Sequence, residues 1–148
     1  MAPLLPELEQ ALPPNVQLDG ELVAFDDEGH PDFHLLGRRM LHRHQDIPVT
    51  YMAFDVLAFD GEPTTNEPYR ERRRLLEALR MEKPHAGVVP TFPDGEALFA
   101  AMFERGLEGV MAKRERDAYR PSERLWIKTK NRATRRFAEE LAAVSRSR

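Results

Sequence analysis

The chain has 148 residues, 41% of them hydrophobic and 32% charged, with a formal net charge of −3, the make-up of one ordinary globular domain long enough to bury a core. With no cysteine at all, it can form neither a disulfide nor a thiolate metal site, and a cytosolic setting is the expectation. No apolar run reaches the roughly 20 residues that cross a bilayer and no signal-peptide pattern opens the chain, so no membrane partner is expected.

Residues 1–17 gather Pro3, Pro6, Pro13 and Pro14 around a short amphipathic stretch, Pro6 to Leu12, and read as a connector with one helical turn. Leu18 to Asp26 reads as a strand closed by a turn at Asp26-Asp-Glu-Gly29. Asp32 suits the N-cap of a helix running to about His44. Val49 to Phe59 is nearly continuous in apolar residues, which predicts a buried strand, and Asp60-Gly61 ends it. Tyr69 to Arg80 is an arginine-laden helix with an apolar stripe of Leu75, Leu76 and Leu79. Its Arg70, Arg72, Arg73 and Arg74 read as a solvated charged face more than as a DNA-facing patch, because Glu71 and Glu77 interrupt them.

Val88 to Phe92 reads as a short strand, and Asp94 caps a helix that ends at Arg105 with Gly106 in the stop position. Gly109 to Arg114 and Leu125 to Lys130 are two further strands, and Arg132 to Val144 is a basic helix. His42 and His44, with His34, offer a metal less readily than they offer a solvated helix end. Strands and helices alternate without a βαβ rhythm, so the expected class is α+β with largely antiparallel sheets.

The modest net charge hides an asymmetry. Residues 1–112 carry 10 Lys/Arg against 20 Asp/Glu, whereas residues 113–148 carry 12 against 5. A basic C-terminal quarter favours a phosphate-rich partner. Lysine is scarce, four against eighteen arginines, and Lys113, Lys128 and Lys130 fall within one eighteen-residue window beside the only tryptophan, Trp126. A compact, strongly hydrated ammonium suits a phosphate, while a charge run is equally often a solvated face.

Other stretches bear on the same question. Asp19-Gly20-Glu21 lies within a strand, where Asp-Gly is locally unfavourable. Either a ligand approaches the glycine closely with Glu21 facing it, or the strand bulges there. In Tyr51-Met-Ala-Phe54-Asp-Val-Leu57 an aromatic sits beside an acid in an apolar strand; Phe54 is either core or a platform for a base. Glu108-Gly-Val-Met-Ala-Lys113 sets an acid at the mouth of a strand and a lysine five residues on. Two carboxylates, one aromatic ring and three lysines are the parts that hold a nucleoside triphosphate with a divalent metal.

In order and spacing, Asp19-Gly-Glu21, Phe54-Asp-Val-Leu57, Glu108-Gly-Val-Met-Ala-Lys-Arg114 and Trp126-Ile-Lys-Thr-Lys130 resemble motifs III, IIIa, IV and V of the ATP-dependent DNA ligases. The resemblance is nearest to the small bacterial ligases and the ligase modules of bacterial end-joining enzymes, and it covers Leu18 to about Asn131. It implies a partial covalent-nucleotidyltransferase (ATP-grasp-like) fold over 18–131, antiparallel sheets with flanking helices, followed by a basic helix and tail over 132–148. It also implies ATP and Mg²⁺ (or Mn²⁺) as cofactors and nicked duplex DNA as partner. Glu21 and Glu108 would contact ribose or metal, Phe54 would stack on adenine, and Lys113, Lys128 and Lys130 would hold the α-phosphate. Arg132, Arg135 and Arg136 are the expected DNA contacts. Action in the cytoplasm, at the nucleoid when on DNA, follows. An RNA-ligase-like enzyme and an inactive remnant that binds nucleotide or DNA non-covalently are the alternatives.

One departure from the family pattern is decisive for activity. The family's first motif, Lys-x-Asp-Gly-x-Arg, supplies a lysine nucleophile that must stand in one position. Here the residues two before the Asp-Gly pairs at Asp19, Asp60 and Asp94 are Gln17, Ala58 and Phe92. No catalytic lysine is therefore assigned. The expectation is a chain lacking the N-terminal strands and nucleophile, encoded upstream or on another subunit, and lacking a C-terminal oligonucleotide-binding barrel.

Overall fold

The long apolar run at the centre of the sequence becomes the centre of a sheet. In the computed structural model, which describes residues 5–42, 46–81 and 85–133, β2 (Thr50–Phe59) pairs antiparallel with β1 (Val16–Val23) along its length. Its other edge is shared by the two-residue β3 (Glu62–Pro63), antiparallel, and by β4 (Ala86–Val88), parallel. The core gathers around β2: Met52, Ala53, Val56 and Ala58 are buried, with Ala24, Ile47, Val49, Ala86 and Leu76. Strand burial on both faces is why this segment lacks a clean polar alternation.

Three helices accompany the sheet: α1 (Leu5–Ala11), α2 (Phe33–Leu41) and α3 (Tyr69–Ala78). Asp32 caps α2 as expected, its carboxylate accepting from the His34 and Leu35 N–H groups. The helix stops at Leu41, short of the expected His44, which lies outside the described residues. These elements, Met1–Pro90 with Glu115–Tyr119, form one compact unit.

A second unit spans Thr91–Arg114 and Arg120–Arg148. It contains α4 (Gly95–Glu104), capped by Asp94, whose carboxylate accepts from Ala97 N–H, and a two-stranded antiparallel ribbon of β5 (Gly109–Ala112) and β6 (Ile127–Lys130). Gly106 takes a positive φ of 65° at the helix stop, the conformation for which glycine is favoured. Asn131 is the one buried residue of this unit among those described, while Phe92, Phe103, Met111 and Ile127 are exposed. The expected basic helix from Arg132 to Val144 lies, beyond Ala133, outside the described residues.

Mixed helices and mostly antiparallel strands make this an α+β fold. Some strand positions differ from expectation. β1 begins at Val16 and ends at Val23, because the chain turns back on itself: Phe25 bridges Pro31, Asp26 N–H donates to the His30 carbonyl at 2.9 Å, and Asp32 N–H donates to the Ala24 carbonyl at 2.8 Å. The strand expected at Val88–Phe92 lies earlier, at Ala86–Val88, and pairs parallel. Pro90 has no N–H for a ladder, and the Val89 carbonyl is taken by Arg73 Nη1 at 2.7 Å. Among the described residues, no helix is long and apolar enough to cross a membrane.

Candidate functional site

The β5–β6 ribbon explains why the lysines are spaced as they are. Its register sets Gly109 opposite Lys130 and Met111 opposite Lys128. Directly opposed residues share a face, as do alternate residues along a strand. Lys128 and Lys130 therefore lie on one face, and the same alternation carries Lys113 and Trp126, just outside the strands, to that side. The Lys113 ammonium stands 3.6 Å from the centroid of the Trp126 ring. At the other end of the ribbon, Lys128 Nζ donates to Glu108 Oε1 at 2.7 Å, with both side chains partly exposed.

Backbone contacts hold this arrangement. A Cβ on Gly109 would collide with the Thr129 carbonyl, so only glycine permits the strands to approach there. Asn131 N–H donates to the Glu108 carbonyl at 2.6 Å, and its side-chain oxygen accepts from Ala133 N–H at 3.0 Å. Asn131 is almost fully buried. Its carbonyl partner fixes the backbone of Glu108.

Glu21 and Phe54 belong to the first unit. Glu21 is exposed and lies opposite Met52 in the β1–β2 pair. Phe54 is half-buried and is the residue the register skips, since Ala53 faces Gly20 and Asp55 faces Asp19. The ladder is irregular opposite the Asp-Gly step, with the extra residue, Phe54, in β2. No ligand is needed to explain Gly20: a Cβ there would sit 2.6 Å from the Met52 carbonyl oxygen and 2.7 Å from the Tyr51 ring.

Asp55, next to Phe54 in β2, belongs to a network that the linear motifs did not disclose. Asp55 and Arg72 are both buried and pair through two parallel bonds, Nε to Oδ1 at 2.7 Å and Nη2 to Oδ2 at 3.0 Å. Arg72 Nη1 donates to the carbonyls of Glu67 at 2.6 Å and Asp117 at 3.1 Å. The guanidinium lies near the rings of Tyr69 and Tyr119. Tyr119 in turn donates to Asp19 Oδ2 at 2.7 Å, and its phenol is pushed up to about 12 by desolvation and by that hydrogen bond.

The reading of the arginine helix as a solvated face is thus corrected for Arg72, which is fully buried, and for Arg73, which donates to Glu77 and to the Val89 carbonyl. Arg70 and Arg74 do point outward, beside Glu71. The signal was present: Arg72 stands four residues before Leu76 on the apolar stripe, and Asp55 is a lone acid in an apolar strand. A buried charge demands a partner of opposite sign.

His34 and His42 are exposed. Among the described residues one group of possible metal ligands converges, Asp26, Glu28 and His30. The turn itself accounts for it, since Asp26 Oδ1 accepts from the Glu28 and His30 N–H groups. Of the expected DNA contacts, Arg132 is exposed, and Arg135 and Arg136 lie outside the described residues.

Comparison with known proteins gives these features a family. Residues 2–130 match the model of the ATP dependent DNA ligase domain, and the chain belongs to that family. The multifunctional non-homologous end joining protein LigD of Mycobacterium bovis is 38% identical over 120 residues, covering 79% of this chain and 15% of that protein. The prophage-derived DNA ligase-like protein LigB of Bacillus subtilis is 31% identical over 130 residues, covering 85% and 48%. A DNA ligase of Thermococcus onnurineus is 32% identical over 145 residues, covering 85% and 26%. Among solved structures, the ligase domain of Mycobacterium tuberculosis LigD superposes with a TM-score of 0.64 at 39% identity, over 78% of this chain and 37% of that one. A mycobacterial DNA ligase D complexed with ATP and MES superposes with the same TM-score and identity. This chain spans less than half the length of each of these relatives.

Proposed function

We propose that the chain is the nucleotide-handling part of an ATP-dependent DNA ligase, which in its full-length form seals nicks in duplex DNA by transferring AMP. The observation that carries this reading is the ribbon face bearing Lys113, Lys128 and Lys130, with the Glu108 carboxylate at its edge. Ammonium groups on one rigid face meet the equatorial oxygens of a phosphate without needing to be assembled from separate loops.

In this reading Lys113, Lys128 and Lys130 bind the α-phosphate and Phe54 stacks on adenine. Glu21 and Glu108 take ribose or Mg²⁺. Their carboxylate oxygens are hard donors reachable from solvent, which suits that ion. A bound divalent cation supplies charge neutralisation on the phosphates. The ion pair between Lys128 and Glu108 keeps both side chains extended over the ribbon, and it weakens when phosphate or cation competes for either partner. Arg132, Arg135 and Arg136 contact the DNA backbone, and action at the nucleoid follows from that substrate.

Self-adenylation does not occur on these 148 residues alone, because no lysine stands two residues before an Asp-Gly pair. Nucleophilic attack on the α-phosphate requires such a lysine, and the full reaction draws it from another segment. The test is an ATP titration by calorimetry, with and without Mg²⁺, on the wild-type chain and on Glu21→Gln and Glu108→Gln. Mg²⁺ tightens ATP binding by the wild type, and each substitution reduces that gain. An ATP affinity that ignores both Mg²⁺ and the carboxylates refutes the assignment of Glu21 and Glu108.

A further inference from the structure

We propose that Trp126 is a positioning residue for Lys113, its ring face holding the ammonium ready for phosphate on the side of the ribbon where Lys128 and Lys130 stand. The inference rests on the nucleotide reading above and adds a residue to it. Lys113 Nζ lies 3.6 Å from the centroid of the indole, well inside the range at which a cation is attracted by the negative face of a ring. Indole is the strongest such platform among the side chains. Phosphate binding immobilises a lysine side chain at a cost in rotamer entropy, and a contact that already restrains the ammonium lowers that cost.

The ring removes part of that cost in advance. The ring face takes up one side of the ammonium, and a tetrahedral ammonium has N–H donors that point away from it as well as toward it. Trp126 and Lys113 are placed to meet by the pairing of Ala112 with Ile127, the last pair of the ribbon, so the contact is built by the same register that aligns the lysines.

The experiment uses the 148-residue chain, inorganic pyrophosphate as probe, and W126F, W126L, W126A and K113M. Trp126 is the only tryptophan, so indole emission reports this contact without background. In the ligand-free chain, K113M shifts the emission; identical spectra for K113M and wild type would overturn the contact. In pyrophosphate titrations, W126F retains affinity within about twofold, whereas W126L and W126A lose roughly three- to tenfold. Leucine fills the volume without a π-face, so W126L binding as tightly as wild type would show a packing role only and overturn the proposal. Absence of pyrophosphate binding by the wild type, with the K113M shift intact, overturns the phosphate reading itself and the ready-state role with it.

Discussion

Arg72 closes on Asp55 with two parallel hydrogen bonds, both side chains fully buried, and directs its remaining nitrogen to the carbonyls of Glu67 and Asp117. Asp55 belongs to the central strand, Arg72 to α3, and Asp117 to the segment Glu115–Tyr119 that follows β5 in sequence. Further bonds tie that segment to the same unit: Tyr69 N–H to the Asp117 carbonyl, Arg70 N–H to the Glu115 carbonyl, and Tyr119 N–H to the Thr65 carbonyl. One arginine thus joins a strand, a helix and a loop that lie far apart in sequence.

Removing either partner strands a buried charge. Arg72→Ala or Asp55→Ala should each cost about 3–5 kcal/mol in urea denaturation. The double replacement Asp55→Leu with Arg72→Met should cost much less than the sum of the two single losses, because no charge is left behind. A loss below about 1 kcal/mol for either single alanine variant would contradict the buried pair.

The tyrosines give a pH signature. All three, Tyr51, Tyr69 and Tyr119, are raised above the ordinary value of 10, desolvation being the first cause in each, and Tyr119 reaches about 12. Between about pH 10 and 12 the folded chain keeps protons that the unfolded chain releases, so stability is full below that window and falls as pH rises through it. Tyrosinate absorbance should rise at higher pH in the folded chain than in guanidinium. Tyr119→Phe should flatten part of the alkaline stability loss; an unchanged slope would contradict the Asp19 contact.

Much of this was legible in the residues, for reasons that differ from place to place. Asp32 and Asp94 announced their helices because a cap is a local hydrogen bond. The apolar run around Val56 announced a buried strand because burial on both faces leaves no room for polar alternation. The four ligase motifs could be aligned because their spacing is carried by two strand pairs. What escaped was long-range: that Arg72 turns inward depends on Asp55, seventeen residues away, and on Asp117, forty-five residues away. Gly20 was read as a choice between ligand approach and bulge, and the crowding by the Met52 carbonyl and the Tyr51 ring, which alone accounts for a glycine there, depends on the partner strand.

Gly109→Ala should loosen the ribbon. The added methyl meets the Thr129 carbonyl, a backbone atom that cannot move without unpairing β5 from β6. The expected cost is about 1–3 kcal/mol, with faster amide exchange across β5 and β6. Protection equal to wild type would show that the strands are further apart than described.

DNA binding should be weak, indifferent to sequence and steeply dependent on salt, in line with the 12 Lys/Arg against 5 Asp/Glu of residues 113–148. Replacing Arg132, Arg135 and Arg136 together with alanine should reduce the slope of log affinity against log salt, by roughly one for each phosphate no longer neutralised. Fluorescence anisotropy with a labelled nicked duplex measures it. An unaltered slope would make these arginines a solvated surface.

The most direct measurement of the central claim is retention of ATP labelled at the α-phosphate, read on the same sample before and after denaturation in alkaline detergent. The wild-type chain with Mg²⁺ should hold label at equilibrium and release it as intact ATP on denaturation or on dilution. Lys128→Ala with Lys130→Ala should lower the equilibrium binding at least tenfold, about 1.4 kcal/mol or more, while circular dichroism stays that of the wild type. Equal retention by wild type and double variant would contradict the lysine face as the phosphate site. Label that stays on the denatured protein and comes off only with acid, as a phosphoramidate does, at any of the four lysines would contradict the assignment of the nucleophile to another segment.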